Sequence, residues 1–143
     1  MDDTGHMEID KHIFARIPLT SGFLLGVLPL PLHLVLPLRL SYELAAITLV
    51  LIAGVYIGYA FKDGRTKTIV VEFTTALAFA AAAWIGLNGY PFVIAAALAA
   101  HGLWDLLHHN LIETEIPRWY ISFCVICDWI MAVGLLLIWG VLA

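Results

Sequence analysis

Five apolar runs, each about long enough to cross a bilayer as a helix, set the architecture of this chain before any single residue is considered. They cover residues 17–38, 42–61, 68–88, 91–109 and 119–142. A spanning helix needs about 20 mainly apolar residues to traverse ~30 Å of hydrocarbon. No water reaches that layer, so the backbone must satisfy its own hydrogen bonds, and a helix does so within one segment. Composition agrees: 62% of the 143 residues are hydrophobic and 13% are charged, where a soluble domain carries about 25% charged residues. Mean hydropathy is +0.95. The expected fold is all-α, an integral membrane helical bundle of about five transmembrane helices. Residues 1–16 read as a polar N-terminal tail without an apolar h-region, so no cleavable signal peptide is expected. Residues 17–143 read as a single transmembrane domain. There is no basic patch, which argues against a nucleic-acid partner. The expected partner is the lipid bilayer, and so small a bundle encloses little volume, which points to a homo-oligomer.

The first run is the irregular one. Pro18 suits a helix start, but Pro29 and Pro31 remove backbone donors and must kink or break the helix. The run is either a proline-broken span or a re-entrant segment. His33 lies in its broken half, where it reads as a polar group that satisfies freed backbone or faces the outer interface.

With five spans, Lys11, Arg16, Lys62, Arg65, Lys67 and Arg118 fall on one side and only Arg39 on the other. Cytoplasmic loops carry the excess of Lys and Arg. This predicts a multi-pass protein of the cell membrane with its N-terminus cytoplasmic and its C-terminus outside. Trp84 and Trp139 then fall near the outer interface, and Trp119 and Tyr120 near the inner one, as aromatic belts do.

The fourth run contains His101-Gly-Leu-Trp-Asp105-Leu-Leu-His108-His109. At about 100° per residue, the three histidines and Asp105 share an arc of roughly 100° over two turns. An Asp at the centre of a membrane helix costs about 2.5–3.5 kcal/mol on the insertion scale, so such groups face a protein interior, a cavity or a metal. Depth adds to this. Span three starts on the inner side with Glu72 just inside it, and span five starts there with Asp128 further in. Glu72 falls near the level of Asp105, and Asp128 near that of His101. Three helices thus carry their buried ionisable residues in one slab. His101 and Asp105, one turn apart, can chelate one ion. His108 can join them, and His109 can bind the same or a neighbouring ion. Glu72 and Asp128 can complete the site or act as general base. Imidazole with carboxylate favours a divalent metal ion, Zn or Fe first, with Mn also compatible.

Plainer readings stand beside this one. The same residues can form a polar lock, with His101 on Asp128 and His108 or His109 on Glu72. Cys124 and Cys127 read as packing residues, although Cys124 lies one turn from Asp128. Ser41, Tyr56, Tyr59 and Ser122 read as accessory groups or ordinary packing, and Trp104 and Trp129 as packing or belt residues. Glu43, at the start of span two, reads as solvated.

Glu72-Phe-Thr-Thr-Ala-Leu, the histidine box, Pro117-Arg-Trp-Tyr and Phe123-Cys-Val-Ile-Cys-Asp128 together resemble a group of small bacterial integral membrane proteins of unknown function. The match runs from about Glu72 to the C-terminus. It implies that the buried Glu, the box and the Cys-Asp pair form a site, and it supplies no activity. Asp105-x-x-His108-His109 is also similar to the His-x-x-His-His boxes of membrane di-iron desaturases and hydroxylases, which have several boxes where this chain has one. The ligand types are similar to those of membrane zinc hydrolases of the alkaline-ceramidase kind, without their Ser and His pattern.

The leading expectation is a metal-dependent membrane enzyme acting on a lipid or other hydrophobic substrate. Hydrolase chemistry would use metal-activated water, and oxygenase chemistry would use Fe with open positions. The alternatives are a metal-ion transporter or sensor, and a structural protein held by the polar lock. The nearly apolar outer half of spans three to five offers no polar path for transport.

Overall fold

The structure, a computed structural model, describes residues 17–108 and 111–142; the expected N-terminal tail and His109 lie outside them. The described residues form six helices and no strand: α1, residues 17–27; α2, Leu30–Val35; α3, Leu38–Asp63; α4, Thr66–Leu87; α5, Phe92–Leu107; and α6, Arg118–Leu142. This is a helical membrane bundle. Four segments are long and apolar enough to cross a bilayer, with α1 and α2 together counting as one, Ile17–Val35. At 16 residues, α5 is about 24 Å long, shorter than its neighbours.

Prolines and glycines place the breaks. The first span interrupts at residues 28–29, where Pro29 and Pro31 cannot donate to the helix ladder. Pro37 has extended backbone and precedes α3. α3 ends on Gly64, whose φ of 77° suits a residue without a Cβ; its N–H bonds to the Ala60 carbonyl at 3.0 Å, closing the helix end.

Contacts between named residues fix the direction of each helix. Arg39 donates to the carbonyl of Leu87 at 3.0 Å, so α3 and α4 are antiparallel. Gly86 abuts Ile94, which turns α5 back along α4. His101 reaches Asp128 at 2.7 Å and Phe92 meets Trp139, so α6 runs antiparallel to α5. Gly22, Gly26 and Leu30 meet Phe123, Cys127 and Gly134 in order, so the first span runs parallel to α6. The chain therefore passes back and forth five times. Lys62, Arg65, Lys67 and Arg118 gather at one end of the bundle, and Arg39 lies at the other.

Gly22 and Gly26 are separated by one turn on α1. A Cβ at Gly22 would sit 2.4 Å from the backbone oxygen of Phe123, and one at Gly26 would sit 3.0 Å from that of Cys127. Small residues at this spacing let two membrane helices approach backbone to backbone.

The bundle's outer surface is apolar. Leu51 and Leu137 are each 66% exposed, and Val133 is 56% exposed. An apolar belt of this kind faces lipid. Inside, Leu49, Ile94, Leu98, Leu135 and Trp139 are fully buried. Trp139 is thus a core residue rather than a belt residue; its indole N–H donates to Ser41 at 2.8 Å. Trp84 and Trp119 are exposed, at 70% and 57%. His33 is also fully buried and bonds through Nδ1 to the Ser41 hydroxyl at 2.8 Å, not to freed backbone or an outer interface. Ser41 thereby joins α2, α3 and α6 at the Arg39 end.

Candidate metal centre

On α5 the buried positions run Ile94, Leu98, His101, Asp105 and on to His108 at its C-cap. That spacing of three and four residues is one helical face. Its first half is aliphatic and its second half ionisable, so the stripe that packs the core at one end carries the polar site at the other. α4 contributes Glu72 and α6 contributes Asp128, each 1% exposed. α3 contributes Tyr56, also 1% exposed.

These side chains form two adjoining groups. In the first, His101 Nδ1 lies 2.7 Å from Asp128 Oδ2 and 3.6 Å from Asp105 Oδ1. One potential ligand atom from each of His101, Asp105 and Asp128 lies within 4.8 Å of the others. Ligands held at about 2.0–2.2 Å from one ion are at most about 4.4 Å apart, so a small side-chain adjustment would let the three share it. Asp105 Oδ2 and Asp128 Oδ1 are buried without a hydrogen-bond partner among the described residues. The Tyr56 hydroxyl donates to the other oxygen of Asp105, which fixes the orientation of that carboxylate. Cys124 is buried nearby on α6 but is not one of the three.

The charge balance of this group is informative. Two ionised carboxylates beside one imidazolium leave a net negative charge in an apolar bundle, which costs several kcal/mol without compensation. A divalent cation beside a neutral imidazole would cancel both carboxylates. One imidazole and two carboxylates suit Zn, Fe or Mn, and three protein ligands leave coordination positions open.

In the second group, His108 Nε2 lies 2.7 Å from Glu72 Oε1. The backbone carbonyl of Trp104 accepts from His108 Nδ1 at 3.0 Å, so Nδ1 carries a proton. With Nδ1 protonated, a hydrogen bond between Nε2 and the carboxylate needs one further proton on either partner. Glu72 also accepts from Thr114 at 2.6 Å and from the Trp104 indole at 3.3 Å. Trp104 is thus a hydrogen-bond donor to the site as well as a packing residue. Tyr56 connects the groups, with its ring centroid 5.3 Å from that of His101 and 4.9 Å from that of His108.

The sequence places six ionisable residues in one slab. The structure brings His101, Asp105 and Asp128 into one group and pairs Glu72 with His108 in the other. His109 lies outside the described residues. Tyr56, read as an accessory or packing residue, lies between the groups. Thr114 carries no sequence signal: it stands in a polar loop, and only folding brings that loop over Glu72. Of the other accessory candidates, Tyr59 packs on Tyr120, and Ser122 donates to the carbonyl of its own helix at Arg118. Glu43 is paired with Arg39 at 2.6 Å.

The Thr114 loop is held by a polar clamp at the same end of the bundle. Asp63, at the end of α3, accepts from Arg65 Nε and Nη2 at 2.7 Å each and from the backbone N–H of Glu115 at 3.1 Å. Arg65 also donates to the Glu113 carbonyl and lies 3.3 Å from its carboxylate. The hydrogen bond to Asp63 raises the Arg65 guanidinium further above its ordinary range. Thr114 sits between the two anchored residues.

The chain belongs to a family of unknown function (DUF6010), whose model matches residues 18–140. No curated protein and no solved structure matches it significantly.

Proposed function

We propose that this member of the family is a metal-dependent membrane enzyme acting on a lipid or other hydrophobic substrate. The carrying observation is the convergence of one potential ligand atom from each of His101, Asp105 and Asp128 within 4.8 Å, with one oxygen of each carboxylate left without a partner among the described residues. Those three residues would hold a divalent ion, Zn or Fe. The ion would supply a Lewis acid beside an open coordination position. The chain's own groups would do the rest. Tyr56 orients Asp105. Glu72 and His108 hold a proton between them next to the site and can take up or deliver one, as a general acid–base pair. The surrounding apolar helices exclude bulk water. Hydrolase and oxygenase chemistry both fit this donor set.

The placement in the membrane belongs to the same reading. The end carrying Lys62, Arg65, Lys67 and Arg118 would be cytoplasmic by the positive-inside rule, which sets the site in the cytoplasmic half of the cell membrane.

The His101–Asp128 and His108–Glu72 pairs also favour a second reading, a polar lock without an ion. Metal analysis separates the two. Protein purified without chelators should carry close to one ion per chain, or take one up from added Zn or Fe. Protein that neither carries nor takes up an ion would leave the lock as the better account.

A further inference from the structure

A cavity of about 180 Å³ lies between α3 and α6, lined by Leu51, Ile52 and Val55 on one side and Phe123, Cys127 and Asp128 on the other. It lies where α3, packed on α4, and α6, packed on α5, stand apart. At the Arg39 end this gap is bridged by α2, through His33, Ser41 and Trp139. At the other end it is bridged by the ring contacts of Tyr56 and Tyr59 with Tyr120. Between the bridges the mouth opens sideways. Leu51 is 66% exposed and Val55 is 42% exposed, on the belt that faces lipid.

Two features say what fits there. The wall is mostly apolar; its polar groups are the Tyr120 phenol, the thiols of Cys124 and Cys127, and Asp128, the one carboxylate on it. Asp128 is 1% exposed, and its Oδ1 is buried without a hydrogen-bond partner among the described residues; a small turn of the side chain toward the cavity would let an arriving donor satisfy an acceptor that is costly to leave unmet. The cavity is also smaller than the roughly 300–1,000 Å³ of a pocket that engulfs a drug-sized ligand. It can take the end of a chain, not a whole lipid. By contrast, the groove between α3 and α4 and that between α5 and α6 are lined by aliphatic and aromatic side chains without any carboxylate.

We infer that this cavity is a lateral entrance through which a membrane-dissolved amphiphile, a single alkyl chain ending in a hydroxyl, presents its head to Asp128 while its tail stays in the bilayer. The inference names the substrate class and entry route for the site proposed above, but binding at the cavity does not require that an ion be present. The hydroxyl donates to Asp128 Oδ1, and the alkyl carbons next to it pack on Leu51, Val55 and Phe123.

Photolabelling of the purified full chain in nanodiscs tests this. The probe is a long-chain primary alcohol with a diazirine placed a few carbons from the head, and its methyl ether is the control. The alcohol should label the peptides bearing Leu51–Val55 and Phe123–Cys127, and unlabelled alcohol should compete. The ether, which cannot donate, should show competable labelling about tenfold weaker, the loss expected for one hydrogen bond to a charged acceptor. Val55→Trp, on a lipid-facing position that tolerates a large side chain, should fill the mouth and abolish competition. Equal competable labelling by alcohol and ether, or labelling unaffected by Val55→Trp, would overturn the inference. Metal content is read on the same preparation. An ion without competable labelling refutes the entrance alone, and labelling without an ion refutes the metal reading alone.

Discussion

Thr114, in the loop between α5 and α6, donates its hydroxyl to the buried carboxylate of Glu72 on α4 at 2.6 Å. The flanking residues are anchored from outside, Glu113 by Arg65 and Glu115 by Asp63. A surface clamp thus sets the position of a group deep in the candidate site. Thr114→Val should remove one of Glu72's three side-chain donors and lower stability by about 1 kcal/mol, read as thermal unfolding in detergent. Thr114→Ser should restore it. Equal stability of the Val and Ser variants would show that this hydrogen bond carries no weight.

Arg65 is half exposed, and although the Asp63 side chain is only 1% exposed, it keeps its bonds from Thr68 and the Glu115 N–H when Arg65 is removed, so the loss should stay within the roughly 0–1 kcal/mol of a surface pair. Arg65→Ala should therefore leave global unfolding nearly unchanged. It should nevertheless release the 111–117 loop, seen as faster limited proteolysis there. Unchanged cleavage would mean that the loop is held by other contacts.

The three-residue group can be tested as a unit. If His101, Asp105 and Asp128 share an ion, His101→Ala and Asp128→Leu should each lose most of the bound metal, because neither leaves a complete ligand set. The double variant should be no more stable than either single one. In the lock reading, each single change strands a buried partner and removing both relieves the strain. A double variant clearly more stable than His101→Ala, from a parent without metal, would decide for the lock.

Helix approach should be as demanding as the glycine contacts imply. A Cβ at Gly102 would lie 2.5 Å from the Trp129 indole nitrogen, next in sequence to Asp128. Gly102→Ala should cost about 1–3 kcal/mol through overpacking and weaken metal retention. Gly140, on α6, has nothing within 4 Å of its Cβ position. Gly140→Ala should be neutral or stabilising by up to about 1 kcal/mol. Similar losses at both positions would mean that helix contact is not what Gly102 serves.

The proposed orientation predicts accessibility. With Cys124 and Cys127 replaced, a single cysteine at Asn88 should react with a membrane-impermeant maleimide added outside cells, and one at Arg65 should not. The reverse pattern would invert the assignment.

The sequence by itself determined the class of the fold and the residues to watch. Apolar runs of bilayer length admit little but helices. Pro29 and Pro31 announced the break between α1 and α2, because proline cannot donate in a helix interior. The spacing of His101, Asp105 and His108 put them on one face, since helical periodicity is local. Span direction brought Asp128 level with His101, because depth along a spanning helix follows from residue count. Rotation about the helix axis is different. It is set by packing against neighbours, and composition does not report it. That is why the sequence could offer the His101–Asp128 and His108–Glu72 pairings only as one arrangement among several, while the tertiary structure separated the ionisable residues into two groups and brought Tyr56 between them. Trp139 looked like a belt residue by depth, yet it faces inward onto Ser41. Gly22 and Gly26 were visible as residues, but their role needed the partner backbone of α6. Thr114 depended on a loop whose course is fixed by Asp63 and Arg65, residues about 50 positions earlier in the chain. Contacts over such separations arise only on folding, when chain entropy is given up for burial and hydrogen bonding.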